Sequence, residues 1–354
     1  MAEVRPVSIT GLSILSALGR GGEAQLAAAL SGSAAFGPVR RFDAAGRRVR
    51  TAATAADVAP LQDELASAIG TACAEAGWTG ADKAAAPLFL AAHGHPGLSG
   101  DARQLATRTG VAAPNRIYTS ACVSASTAIA DAASLIKRGE YDRIVVAAGY
   151  LVEPGQYALF DAGRALSTDD VVRPFSLGRQ GLLLGDAVVA MTLQAGDGLA
   201  EVAGWGRAGD AFHPCQPDPE GKGLARAITA ALGRAAVAPD QVGYINANAT
   251  GTKFSDAAEA AALQRVFGQD TPPVSSTKAV HGHALEASGL LELAITVLAL
   301  NAGKLPVNAG YLGPDPACPL DLVLDGPRRP GTSYGLSLNS AFGGANTALL
   351  VRAA

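Results

Sequence analysis

The chain has 354 residues, 49% of them hydrophobic, and 28 basic against 31 acidic side chains leave a formal net charge of −3. That balance, without a basic stripe, gives no support to nucleic-acid binding. No apolar run reaches membrane-spanning length, and the first residues lack a charged stretch followed by an apolar one, so a soluble, cytoplasmic protein is expected. Four scattered cysteines (Cys73, Cys122, Cys215 and Cys318) form no CxxC pair, which argues against a zinc site and a disulfide framework.

In chain order, Val7 to Leu12 alternates into a short strand, and Gly22 to Leu30 reads as a helix. Arg40 to Ala52 is charged and loop-like. Pro60 to Gly77 is an amphipathic helix opened by proline, with Cys73 in its core face. Ala86 to His93 is a buried strand, followed by a Gly/Pro-rich loop from Gly94 to Gly100. His93 and His95 lack a third ligand for a metal. Asp142 to Gly149 is another buried strand, a long loop runs from Glu153 to Arg179, and Leu182 to Thr192 returns to a strand. From Ala200 the order of elements starts again. A strand, a helix (Gly223 to Ala235), a strand (Val242 to Ala247), a helix (Asp256 to Phe267), a strand near Pro273 to Ser276, a helix (Leu285 to Leu300) and a final strand pair follow. The repeated order suggests an internal duplication with its boundary near residue 198.

One stretch is built for chemistry in the first half. Ile117 and Tyr118 end a strand, Thr119-Ser120-Ala121-Cys122 makes a sharp turn, and Thr127 to Lys137 has helical spacing. Cys122 thus falls at a helix N-terminus, where free N–H groups and the helix dipole are expected to lower a thiol pKa. Three turns in the second half follow buried strands in the same way. They are Asn246-Ala-Asn248-Ala-Thr250-Gly-Thr252, Lys278-Ala-Val-His281-Gly-His283, and Asn339-Ser-Ala-Phe342-Gly-Gly344. All are expected to converge at one end of a sheet, where α/β ligand sites lie.

Together these motifs resemble a β-ketoacyl synthase of the thiolase superfamily. Val7-Ser-Ile-Thr-Gly11, Ala165-Leu-Ser167, Arg173-Pro-Phe175, Gly185-Asp186, Gly209-Asp-Ala-Phe-His213 and Pro314-Asp-Pro-Ala-Cys318 stand in matching order along the rest of the chain. The resemblance implies a thiolase-like five-layer αβαβα fold of two duplicated halves, residues 1–198 carrying the cysteine and residues 199–354 carrying the Asn/His/Lys residues. It implies Cys122 as the nucleophile acylated from a phosphopantetheine thioester, with the N–H groups of Cys122 and Phe342 as the oxyanion hole. His283 would donate to the extender's thioester carbonyl, and Thr250 and Thr252 would hold the pantetheine arm. Phe342 would also gate the acyl pocket. Lys278 and Glu292 would form a buried ion pair behind the site, in a structural role. No metal or organic cofactor is implied, because the thioester supplies the activation. The implied partners are an acyl carrier protein and acyl and malonyl thioesters on it or on coenzyme A. A homodimer, or a heterodimer with another ketosynthase, is also implied. Cys215 and Cys318 are expected to be structural, and His281 exposed.

Three departures from the family pattern stand out, one of them Gln180, which replaces an acidic residue in the Arg-Asp-Gly element that usually follows the Arg-Pro-Phe motif. Where the family's elongating enzymes carry their first active-site histidine, this chain has Asn248, which donates a hydrogen bond but carries no proton. The segment between His93 and Cys122 is short, so the acyl pocket is expected to be more open or the partner altered. Three readings stand at this stage. One is decarboxylative condensation with Asn248 and His283 as donors. The second is acyl transfer from Cys122 to an alcohol or amine, and the third an auxiliary, chain-length-factor-like subunit. A degradative thiolase is disfavoured, since Ser340 and Phe342 stand where such enzymes carry a second cysteine.

Overall fold

The computed structural model describes residues 5–354. Ten strands build its main sheet: β1 (Val7–Ser16), β2 (Pro87–Ala91), β3 (Ala112–Tyr118), β4 (Arg143–Tyr150), β5 (Ala187–Ala195), β6 (Ala200–Gly209), β7 (Val242–Asn246), β8 (Val274–Ser275), β9 (Tyr334–Ala341) and β10 (Ala345–Ala353). Gly19–Arg20 adds a short edge to β1. The spatial order is β8-β7-β9-β10-β6-β1-β5-β4-β2-β3, so the last five strands repeat the arrangement of the first five. In each set the three outer strands run parallel and the remaining two contacts are antiparallel. The sets join where Ser8 and Ile9 of β1 pair with Glu201 and Ala200 of β6.

The inner parallel strands β2 and β4 are apolar runs buried on both faces, as crossover topology demands. Leu88, Phe89 and Leu90 of β2 and Val145, Val146 and Ala147 of β4 are all at most 1% exposed. The helices that cover them are α1 (Gly22–Ser31), α2 (Leu61–Glu75), α3 (Leu98–Thr109), α4 (Ser124–Lys137), α5 (Pro154–Ala162), α6 (Lys222–Ala235), α7 (Lys253–Phe267) and α8 (Ser288–Asn301). Helices α2 and α3 pack on one outer face and α6 and α7 on the other, while α4 and α8 share the central core. That gives the five-layer αβαβα arrangement. Helix α8 is buried on every side, which suits a central layer. Close helix-to-strand contact depends on glycines. A Cβ on Gly11 of β1 would run into the backbone of Ala72 in α2, and one on Gly206 of β6 into Ala227 in α6. The two halves solve the same packing problem in the same way.

Two stretches expected as loops hold helices. Helix α5 lies inside the segment after Glu153, whose side chain accepts the Gln156 N–H at 3.3 Å and so caps it, with Pro154 in the first turn. Helix α3 fills the short connection between β2 and β3, burying Leu98, Ala102, Leu105 and Ala106. The chain after His93 therefore does not run straight into the Cys122 turn.

Candidate active site

Cys122, Asn248 and His283 each stand where a strand hands over to a helix. After β3, residues Ala121–Val123 form one tight helical turn that leads into α4, with Ala121 at a left-handed φ of 50°. Cys122, the middle residue, is 8% exposed. Its sulfur lies 3.1 Å from Nε2 of His283, which comes from the other half, 161 residues away. The thiol pKa is not lowered as its helix-terminal place suggests. Burial and the nearby Glu286 charge push it up to about 12, offset only in part by Lys278 and its own N–H. Burial outweighs the helix terminus, so the resting group is a neutral thiol. The histidine is held neutral too, well below its ordinary value, by burial and by the charge of Lys278. The resting pair is thus thiol and imidazole, not thiolate and imidazolium.

The tautomer of His283 follows from Ser288, at the start of α8. Its hydroxyl oxygen accepts the Ala284 N–H at 3.0 Å and lies 2.8 Å from Nδ1 of His283. The serine proton is satisfied by donation to Nδ1, which leaves the imidazole proton on Nε2, facing the sulfur. His283 is thereby set as a hydrogen-bond donor into the site. Ser288 is a site residue that sequence reasoning missed, because it reads as an ordinary helix start.

Asn248 is 3% exposed and oriented in a comparable way. Its backbone N–H donates to Oε1 of Glu259 at 2.7 Å, and its side-chain oxygen accepts from the Lys278 ammonium at 3.2 Å. With that oxygen taken, the amide NH2 is the group left to donate. Lys278 is in turn paired with Glu292 at 2.5 Å, both at most 1% exposed, and Asn339 donates to the other Glu292 oxygen at 2.6 Å. The expected buried pair is present. It fixes the amide of Asn248 from behind.

The Thr250–Thr252 loop is organised by Asp256, one turn into α7. Its carboxylate accepts the N–H groups of Thr250 at 3.1 Å, Thr252 at 3.3 Å and Phe175 at 2.9 Å. The two threonine hydroxyls lie 3.1 Å apart. Phe342 sits in the turn between β9 and β10, 57% exposed, with its ring stacked on Phe160 of α5 at 6.2 Å. The two glycines after it have left-handed φ values of 89° and 76°, which side chains rarely adopt. The Phe342 N–H makes no hydrogen bond among the described residues.

Other expectations are corrected. His281 is fully buried rather than exposed, with Nδ1 at 2.7 Å from the Gly282 carbonyl and Nε2 at 3.0 Å from the Thr277 hydroxyl. Burial holds it neutral at about 3. Cys215 is exposed and so has no packing role, whereas Cys318 is buried beside Arg179 at 3.3 Å. His93 and His95 do not share a partner; they face Glu286 and Asp101 respectively.

Glu259 gives a stability test. Burial raises its carboxyl to about 8, above the usual ~4.3 of an unfolded glutamate. A raised folded value stabilises below the unfolded pKa and is lost as pH climbs through the folded one. Thermal stability is therefore expected to fall between about pH 5 and 8, where the buried Asp256, raised to about 6, contributes in the same direction. Glu259→Gln, which keeps the acceptor for Asn248, should flatten that fall in a melting series across the window; an unchanged slope would contradict it.

A five-layer fold of two repeated halves, with a strand-end cysteine facing a histidine from the opposite half, defines a thiolase-type enzyme scaffold. Residues 92–197 match the family "Beta-ketoacyl synthase, N-terminal domain" and residues 199–311 match "Beta-ketoacyl synthase, C-terminal domain". The chain belongs to the β-ketoacyl synthase family of the thiolase superfamily. It is 32% identical over 266 residues to 3-oxoacyl-(acyl-carrier-protein) synthase 2 of Staphylococcus aureus, a match covering 70% of this chain and 66% of that enzyme. It is 36% identical over 265 residues to the tetracenomycin polyketide synthase ketoacyl synthase alpha subunit of Streptomyces glaucescens, covering 70% and 62%. The matches thus span slightly less than two thirds of those relatives' length. Among solved structures, the ishigamide ketosynthase/chain length factor matches with 27% identity and a TM-score of 0.90, covering 99% of this chain and 100% of that one. A ketosynthase (ApeO) in complex with its chain length factor (ApeC) from Xenorhabdus doucetiae matches at 25% and 0.86, covering 100% and 99%.

Proposed function

We propose that this chain is a condensing enzyme that extends an acyl group by decarboxylative Claisen condensation with a malonyl-type thioester. The observation that carries the reading is the pairing of Cys122 with a donor-set His283 at 3.1 Å, together with an Asn248 whose amide is turned by Lys278 to donate. In the first step the Cys122 sulfur attacks the acyl thioester carbonyl. The C–S bond to pantetheine breaks, and the thiol proton ends on the departing pantetheine sulfur. The uncommitted Phe342 N–H and the Cys122 N–H serve the developing oxyanion. In the second step the malonyl C–C bond breaks and carbon dioxide leaves. The electron pair passes to an enolate whose oxygen accepts from His283 and Asn248. The enolate carbon then attacks the acyl carbonyl, the C–S bond to Cys122 breaks, and the thiolate regains a proton from solvent.

Neither donor has to carry a proton in this step, so asparagine at position 248 is compatible with it. Acyl transfer to an alcohol or amine needs a base instead, and a His283 already protonated on Nε2 is poorly set for that. Thr250 and Thr252 would hold the pantetheine arm of an acyl carrier protein. The likeness to ketosynthases paired with chain length factors supports a dimer with a second, related chain. Fatty-acid-like or polyketide assembly is the pathway class. The test is carbon dioxide release from malonyl carrier protein. Asn248→Ala is expected to slow it about a hundredfold, the usual cost of one oxyanion donor, while acyl loading of Cys122 persists. Unchanged release would remove Asn248 from the mechanism.

A further inference from the structure

A second polar group stands in the turn packed on the Cys122 turn, and the condensation chemistry does not use it. His93 follows β2, Cys122 follows β3 and Tyr150 ends β4, so all three sit at the C-terminal ends of neighbouring parallel strands. Glu286 reaches the same place from the other half. It is the middle residue of the turn Leu285–Ala287, which leads into the 14-residue α8 as Ala121–Val123 leads into the 14-residue α4. Leu285 has a left-handed φ of 43°, as Ala121 has 50°. The duplicated fold therefore presents a carboxylate from the second half as it presents the nucleophile from the first, and the two turns pack on each other.

This carboxylate is half satisfied. Glu286 is 5% exposed, and its Oε1 pairs with Nδ1 of His93 at 3.0 Å. Among the described residues its Oε2 has no hydrogen-bond partner, and the buried hydroxyl of Tyr150, a residue 4% exposed that feels the Glu286 charge and the Glu153 N–H, has no acceptor for its proton. Two buried polar atoms left open beside a nucleophile are costly unless something fills the gap. The charge also opposes thiolate formation at Cys122, so it does not serve the cysteine. A hydroxyl answers both open atoms at once, donating to the carboxylate and accepting from the tyrosine. An ammonium has no lone pair for the tyrosine proton, and an alkyl chain satisfies neither.

We propose that Glu286, Tyr150 and His93 form a polar subsite beside Cys122 that receives a hydroxyl close to the thioester of the incoming acyl chain, so that hydroxyacyl thioesters are taken in preference to their deoxy counterparts. The proposal rests on the condensing reading above and names its acyl substrate class. The experiment compares acylation rates of Cys122 by intact-protein mass, using 2- or 3-hydroxyacyl and plain acyl carrier protein of equal chain length. Wild type is expected to favour one hydroxyacyl donor at least about tenfold, the worth of a hydrogen bond to a buried charged group. Glu286→Gln and Tyr150→Phe, both close in shape to the native residue, should each collapse that ratio toward one, with the deoxy donor as the reference within each variant. A ratio near one in wild type, or one unchanged in both variants, overturns the subsite; the gap then holds water alone. If no donor acylates Cys122, the condensing reading falls by itself. The subsite is then read from calorimetric binding of the same pair of acyl pantetheines to Cys122→Ala, where preference for the hydroxyl supports it and equal affinity overturns it.

Discussion

Cys122→Ala is expected to abolish acyl loading and to cut β-ketoacyl product formation by more than about a thousandfold, the scale of losing a covalent nucleophile. Carbon dioxide release from malonyl carrier protein should survive under the proposed mechanism, in which Asn248 and His283 stabilise the enolate and neither depends on the sulfur for its position. His283 is fixed through Ser288 and Asn248 through Lys278 and Glu259. Separate assays of loading, decarboxylation and product check the split. Loss of decarboxylation along with loading would mean that the sulfur organises the donors. The resting thiol, pushed up by burial, is little ionised at pH 7. Alkylation of Cys122 should accordingly be slow at neutral pH and quicken as pH rises.

Lys278→Ala is the second large effect, and it strikes stability first. Lys278 and Glu292 are 1% and 0% exposed and 2.5 Å apart, and removing one member leaves the other buried and uncompensated. Breaking such a pair costs about 3–5 kcal/mol. Denaturant unfolding should show that loss, with catalytic loss on top because Asn248 is no longer turned. Lys278→Met combined with Glu292→Leu removes both charges and should recover much of the stability without the activity. A double variant as unstable as the single one would contradict the ion-pair account.

How much of this was legible in the sequence depended on how local each feature is. The Cys122 turn was readable because a strand end, a run of small residues and a helical period sit side by side. The Asn248 and His283 turns were readable for the same reason, the Phe342 turn from the two glycines that follow it at a strand end, and the resemblance placed them in order. Charge state was not readable. It depends on burial, which reversed the direction expected for the Cys122 thiol and hid His281 in the core despite its polar neighbours. Partners distant in sequence were also invisible. His93 meets Glu286 across 193 positions, and a glutamate at the head of a helix looks like a routine dipole partner until the fold places it beside a thiol. Helix α3 was missed because Gly94 to Gly100 reads as a loop, yet the chain turns helical inside that stretch, at Leu98.

The most direct test of the account is intact-protein mass after mixing wild-type protein with acyl carrier protein bearing an acyl group, followed by malonyl carrier protein. The account predicts an acyl adduct that maps to Cys122 and disappears on addition of malonyl carrier protein, with one β-ketoacyl product and one carbon dioxide per adduct. An adduct that forms but persists until an alcohol or amine is supplied would contradict condensation.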